Sequence, residues 1–149
     1  MYEFLKFLKI NLPQKQNEVS LADILPQLLT ELYYPSESDE PIEAFSLAAT
    51  EVSPLTKEDF INLMELDENT CVEALNVETF WSTVTDVKEW YGAEQIATAT
   101  KFSALRDLLS VNLHNIQGFR VGEIEVNVYL FGKNSDGKLE GIKTMLVET

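Results

Sequence analysis

The fold is decided by the stretch from Phe119 to Val147, which reads FRVGEIEVNVYLFGKNSDGKLEGIKTMLV. Its apolar residues occupy odd positions at Phe119 and Val121 and even positions from Ile124 to Leu130. Alternation of apolar and polar residues is typical of a strand, and a slip of one residue moves the apolar side chains to the other face. We therefore predict one long strand over residues 119–131, with a β-bulge near Gly122.

A turn and a returning strand follow this first strand. Residues 134–137, Asn-Ser-Asp-Gly, have the composition of a hairpin turn. Residues 139–147 then predict a last strand that pairs with the strand before it. The sequence therefore predicts an antiparallel sheet at this end of the chain.

Helical periodicity is clearest over Ala93–Leu113, with Gly118 just past the predicted end of that helix. One face of the helix carries Ile96, Ala99, Phe102, Leu105, Leu109 and Leu113. A helix over about 20–32 is predicted from the capping pattern Ser20–Asp23 and apolar spacing, with Pro26 tolerated in its first turns.

Shorter elements fill the middle of the chain. A second capping box, Thr56–Asp59, predicts a helix as far as about Leu66, and residues 42–47 and 71–77 predict strands. The aromatic pairs Phe80-Trp81 and Trp90-Tyr91 flank a short polar connection. We therefore predict an α+β domain over residues 20–149, in which helices cover a largely antiparallel sheet, preceded by a partly flexible N-terminal extension over 1–19.

Composition and charge limit the possible partners. The 149 residues are 45% hydrophobic and 24% charged, as expected for one globular domain. The net charge is −14, and residues 20–100 alone carry −15 because seventeen acidic residues face only two lysines. Such a field repels nucleic acid and anionic membrane and attracts a basic protein. The same acidity also has a simpler interpretation as a source of solubility.

Cysteine usage and the start of the chain bear on location. Cys71 is the only cysteine, so the chain cannot form an intramolecular disulfide. Residues 1–10 are apolar but interrupted by Glu3, Lys6 and Lys9, which leaves no run long enough for a signal sequence or a membrane span. We predict a cytoplasmic protein, and the mature form of an exported one remains open.

Residues for catalysis are scarce. His114 is the only histidine and is interpreted as a charge partner of a helix end, and Cys71 as a core residue more readily than as a reactive thiol. No zinc spacing and no glycine-rich phosphate loop is present. The acidic residues Glu37, Asp39, Glu40 and Glu43 form either a solvated loop or a magnesium site, although the EF-hand pattern is absent. We predict a protein without catalytic residues or a cofactor of its own.

Three groups of short motifs occur in a characteristic order. They are Ser36-Glu37-Ser38 followed by Pro41 and Glu43-Ala-Phe45; Phe80 through Glu89-Trp90-Tyr91 to the helix over 93–113; and Phe119–Tyr129, Gly132, Asp136–Ile142 and Val147–Thr149. In order and spacing they resemble the nuclease A inhibitor family. The resemblance covers about residues 20–149, whereas residues 1–19 and about 51–70 match poorly.

The resemblance implies an α/β/α sandwich that binds and blocks, one to one, a magnesium-dependent, sugar-non-specific endonuclease of the ββα-metal class. In such complexes a glutamate of the Ser-Glu-Ser loop bridges to the catalytic metal ion, and the C-terminal threonine reaches into the site. These roles fall on Glu37, flanked by Ser36 and Ser38, and on Thr149. The acidic residue and tryptophan of the family interface match Glu89 and Trp90, although the acid is usually Asp. The free protein is then expected to be a monomer that mimics the nuclease's substrate.

Two other functions remain open at this point. One is a binding module of the same fold with a different protein partner and no nuclease target. The other is a carboxylate-based metal hydrolase. Trp90 and Tyr91 also have two interpretations, since aromatic residues in a loop are either core residues or interface anchors.

Overall fold

The computed structural model of the protein describes residues 21–47 and 54–148. Its elements in chain order are α1 (Leu21–Leu29), β1 (Tyr33–Tyr34), β2 (Glu40–Pro41), β3 (Glu43–Leu47), α2 (Lys57–Met64), β4 (Val72–Ala74), α3 (Val77–Thr85), α4 (Ala93–Asn112), β5 (His114–Val121), β6 (Glu125–Lys133) and β7 (Leu139–Val147). The predictions for residues 1–20 and for Thr149 lie outside the described residues.

The main sheet has five strands in the order β3-β7-β6-β5-β4, and every neighbouring pair is antiparallel. The last strand in the sequence, β7, therefore lies inside the sheet, between β3 and β6. A second sheet consists only of β1 and β2, where Tyr33 pairs with Pro41 and Tyr34 with Glu40. This small ribbon closes the loop over residues 35–39.

Helices cover both faces of the main sheet. On one face, Val126, Val128 and Leu130 of β6 pack in a buried cluster with apolar residues of α1, α3 and α4. On the other face, Phe131 of β6 and Phe119 of β5 pack with Phe60 of α2. Because the sheet is buried on both sides, it forms the middle of three layers. The predicted α+β class and α/β/α sandwich are confirmed.

The prediction of one strand over residues 119–131 was wrong. The chain reverses there, so that β5 and β6 form a hairpin in which Val121 pairs with Asn127. Gly122 stands in the turn with a φ of 116°, a conformation that favours glycine, and a Cβ there would lie 2.4 Å from the carbonyl oxygen of Glu125. The change of phase arises because β5 places Phe119 and Val121 on the face covered by α2, whereas Val126, Val128 and Leu130 of β6 are buried on the opposite face.

Two further predictions need correction. The strand predicted over 71–77 is only Val72–Ala74, because Asn76 caps α3 by accepting a 2.9 Å hydrogen bond from the backbone N–H of Thr79. Phe80 and Trp81 are therefore buried residues of a helix that the pattern did not predict. Gly118, expected just past the end of the long helix, lies within β5, and His114 is the first residue of that strand.

The other elements agree with the prediction. Helix α1 contains Pro26, and α4 covers Ala93–Asn112. The capping box of α2 forms as expected, since Thr56 Oγ1 accepts from the backbone N–H of Asp59 and the Asp59 carboxylate accepts from that of Thr56. The turn at residues 134–137 joins β6 to β7 as a hairpin.

Candidate protein-binding surface

The loop that contains Ser36, Glu37 and Ser38 is fixed to the end of β7. The Ser36 hydroxyl donates to the backbone carbonyl of Ser38 at 2.6 Å and accepts from the backbone N–H groups of Ser38 and Val147 at 3.2 and 3.1 Å. The backbone N–H of Glu37 donates to the carbonyl of Val147 at 3.3 Å. Two segments more than a hundred residues apart in the sequence are thereby held side by side.

The side chains of this loop have different environments. Glu37 is exposed, whereas Ser36 and Ser38 are partly buried. The Ser38 hydroxyl donates to the carboxylate of Glu40 at 2.5 Å. The two serines therefore hold the shape of the loop, and Glu37 is the most exposed of the three residues.

Glu148, the residue that follows β7, has one partner for its backbone and another for its side chain. The backbone N–H of Glu148 donates to the carbonyl of Ile124 at 2.8 Å, and its carboxylate lies 2.7 Å from the guanidinium of Arg120. The hydrogen bond to Glu148 raises the pKa of the Arg120 guanidinium above its ordinary value. Thr149, which is outside the described residues, follows this anchored position directly. Sequence reasoning missed Arg120 because no local pattern connects it to residue 148.

Trp90 lies in the connection between α3 and α4, and 74% of its surface is exposed. Its ring meets that of Tyr91 edge to face, with centroids 4.8 Å apart. Tyr91 is half-buried and its backbone N–H donates to the carbonyl of Lys88 at 3.1 Å. This exposure rules out the interpretation of Trp90 as a core residue. Glu89, the acid before it, is also exposed.

A cleft of about 350 Å³ separates the loop from the aromatic connection. Pro35 and Asp39 line it from the side of the loop, and Tyr91 of the aromatic connection and Glu94 of α4 line it from the other side. The structure thus brings Ser36 and Glu37 against the end of β7, with Ser38 bonded to Ser36. It leaves Glu89 and Trp90 in the segment that leads into the other side of the cleft.

The acidic residues of the loop do not converge on one point. Glu43 lies 3.9 Å from Lys143 on the neighbouring strand, and Glu40 accepts the hydrogen bond from Ser38. Within residues 21–47 and 54–148, no group of three or more His, Cys, Asp or Glu side chains is placed to hold a metal ion. Nor does any helix of these ranges have the length and apolar character needed to cross a membrane.

Comparison with known proteins identifies the family. The family model described as nuclease A inhibitor-like protein matches residues 19–149, which is nearly the whole chain. The comparison with curated proteins found no match. The match includes all the segments of the surface above and agrees with the motifs that the sequence carries. The chain belongs to the nuclease A inhibitor-like family.

Proposed function

We propose that the protein inhibits a magnesium-dependent, sugar-non-specific endonuclease of the ββα-metal class by binding one to one over its active site. The observation that supports this most is the hydrogen bond from Glu37 to Val147. It holds the loop glutamate next to the segment that leads into Thr149. The two residues that the family resemblance assigns to the active-site contact therefore belong to neighbouring segments.

The proposed chemistry follows from the character of these groups. The exposed carboxylate of Glu37 takes the place of a phosphate oxygen on the nuclease's magnesium ion, since magnesium prefers oxygen ligands and carries substrate phosphates in such sites. The metal ion belongs to the nuclease. Thr149 occupies the same active site, and Ser36 and Ser38 keep the loop in its binding shape.

Two other features support binding to a basic active site. Trp90 supplies an exposed aromatic surface of the kind that contributes most at protein interfaces, with Glu89 beside it. The net charge of −14 attracts a basic partner and raises its association rate. We propose that the protein is a monomer when free and protects the cytoplasm of a cell that makes the nuclease.

A titration tests the proposal. Increasing amounts of the protein are added to a fixed concentration of such a nuclease with magnesium, and DNA cleavage is measured. We expect activity to fall to zero at a sharp one-to-one endpoint. The Glu37→Gln variant and a variant without Thr149 should each bind about 1–3 kcal/mol more weakly, as expected for central interface residues. Glu58→Gln, an equal charge change on α2, is the control and should inhibit like wild type.

Each of the other two functions would give a different experimental result. Tight binding to a different protein, with nuclease activity unchanged, would favour the binding module. Hydrolysis of phosphoesters by the protein alone, with any divalent metal, would favour the carboxylate hydrolase. Unchanged inhibition in both the Glu37 and Thr149 variants would overturn the proposed contact.

A further inference from the structure

The cleft beside the Ser36–Ser38 loop combines an apolar base with aromatic and acidic groups at its opening. The buried residues Leu32, Val84, Ala99 and Phe102 form its base. Tyr33, which is 48% exposed, and the half-buried Tyr91 place aromatic rings along it. A ligand in the cleft would therefore contact both apolar surface and aromatic rings.

Three exposed acids line the same cleft, namely Glu31, Asp39 and Glu94. None of the described residues that line it is basic. None of these three acids belongs to an ion pair within the described part of the chain. The acids come from three different segments, so the fold brings their charges to one cavity without neutralising them.

This arrangement fits one kind of group. An arginine side chain has an apolar stem that packs on apolar surface and a planar cation that stacks on aromatic rings and pairs with carboxylates. We infer that the cleft receives an arginine side chain of the target nuclease. The inference rests on the proposed function and extends it, because the cleft lies between the loop and the aromatic connection that make the proposed contact.

The backbone at Glu31 offers a matched pair of variants. Glu31 follows α1 with a φ of 57°, and Glu65 follows α2 with the same φ of 57°. Glycine adopts this left-handed conformation more readily than glutamate. The changes Glu31→Gly and Glu65→Gly therefore remove one acid each and relieve the same strain, but only Glu31 lines the cleft.

The two glycine variants are compared first, by thermal unfolding and by binding to a nuclease that wild type inhibits. We expect neither variant to unfold at a lower temperature than wild type. Glu31→Gly should dissociate from the nuclease several-fold faster, whereas Glu65→Gly should dissociate at the wild-type rate. Equal dissociation rates for the two variants would count against an occupied cleft.

Two double variants with the same change in charge distinguish an arginine bound in the cleft from general attraction of the nuclease by negative charge. Asp39→Asn with Glu94→Gln should raise the dissociation rate about tenfold, because a pair buried at an interface acts mainly on dissociation. Glu58→Gln with Glu68→Gln removes the same charge from exposed positions on and after α2 and should lower only the association rate, by less than about threefold. Scanning the nuclease's arginines should then find one whose change to alanine weakens binding much less in the Asp39/Glu94 double variant than in wild type. Failure to find such an arginine would overturn the inference.

A probe without the nuclease keeps the inference separate from the proposed function. N-acetyl-arginine amide is titrated into the free protein, and its effect is followed by NMR, with N-acetyl-norleucine amide as the neutral control. We expect shifts at Tyr33, Tyr91 and Glu94 with the arginine compound alone, reduced several-fold in the Asp39/Glu94 double variant. Shifts that the control compound reproduces, or none at the cleft, would contradict the inference even if the protein inhibits the nuclease. Shifts at the cleft without inhibition would support the cleft and reject the proposed target.

Discussion

Arg120 and Glu148 form an ion pair of 2.7 Å that connects β5 to the residue directly after β7. The pair is partly exposed, with 27% of the arginine side chain and 43% of the glutamate side chain accessible. Ion pairs with such exposure contribute little to stability, at most about 1 kcal/mol. Its effect is therefore expected on the position of residue 148 and of Thr149 beyond it, more than on folding.

The first prediction concerns this pair. Arg120→Met should leave the free energy of unfolding within about 1 kcal/mol of wild type and weaken inhibition of the nuclease several-fold. Glu148→Gln should do the same, and the double variant should be no weaker than Arg120→Met alone, because Arg120→Met already removes the contact with Glu148 as well as the 4.0 Å pair with Glu73. Additive losses in this cycle would mean that the two residues act separately.

The second prediction concerns the attachment of the loop. Ser36→Ala removes the acceptor of the Val147 N–H and the donor to the Ser38 carbonyl, and should cost about 1–3 kcal/mol of unfolding free energy. It should also weaken inhibition, since the loop loses its anchor on β7. Ser38→Ala should cost less in both measurements, because the described partner of its hydroxyl is the carboxylate of Glu40 in the adjoining β2 and not β7. Denaturant unfolding and the nuclease titration measure both effects, and equal losses in the two variants would refute the anchoring role of Ser36.

The third prediction concerns Trp90. Because 74% of its surface is exposed, Trp90→Ala should change the unfolding free energy by less than about 0.5 kcal/mol. Its removal should nevertheless cost about 2 kcal/mol or more of binding to the nuclease. Val111→Ala, at a 67% exposed apolar position near the other end of α4, should leave binding unchanged. A Trp90 variant that binds like the Val111 variant would show that Trp90 is outside the interface.

The fourth prediction concerns alkaline pH. Burial raises the pKa of Tyr34 to about 12, and its hydroxyl donates to the carbonyl of Phe80 at 2.7 Å. The folded state therefore retains a proton that the unfolded chain loses near pH 10, so this contribution is complete below pH 10 and is lost as pH rises to about 12. The loss should be on the order of 2 kcal/mol. Unfolding measured at pH 9 to 11.5 should show a steeper decline for wild type than for Tyr34→Phe, and parallel curves would contradict the assignment.

Elements with a local signal were predictable from the sequence. Helix α4 follows from apolar spacing, and the cap at Thr56 follows from two side chains three residues apart. Helix α3 was missed because its sequence, VETFWSTVT, is rich in β-branched residues, which have low helix propensity. The alternation predicts a bulge at Gly122, where the structure has a hairpin. When both faces of a sheet are buried, alternation alone does not distinguish a one-residue shift within a strand from a reversal of the chain.

The geometry of the candidate site was predictable only in part. The resemblance named Glu37, Trp90 and their neighbours by motif, and the structure places Trp90 on the surface. The motifs gave no indication that the hydroxyl of Ser36 bonds to a residue 111 positions away, or that Arg120 forms an ion pair with Glu148. Such contacts depend on which strands become neighbours, and no local pattern in the sequence records that choice.

The position of β7 inside the sheet also sets the order in which the molecule can form during synthesis. Glu43 of β3 pairs with Lys143 of β7, one hundred positions later in the chain. Within the described sheet, β3 has no neighbour other than β7, so it stays unpaired during synthesis until β7 has been translated. The attachment of the Ser36–Ser38 loop also requires β7, because Ser36 and Glu37 bond to Val147. A truncated chain that lacks β7 therefore lacks the proposed contact surface as well as an intact sheet.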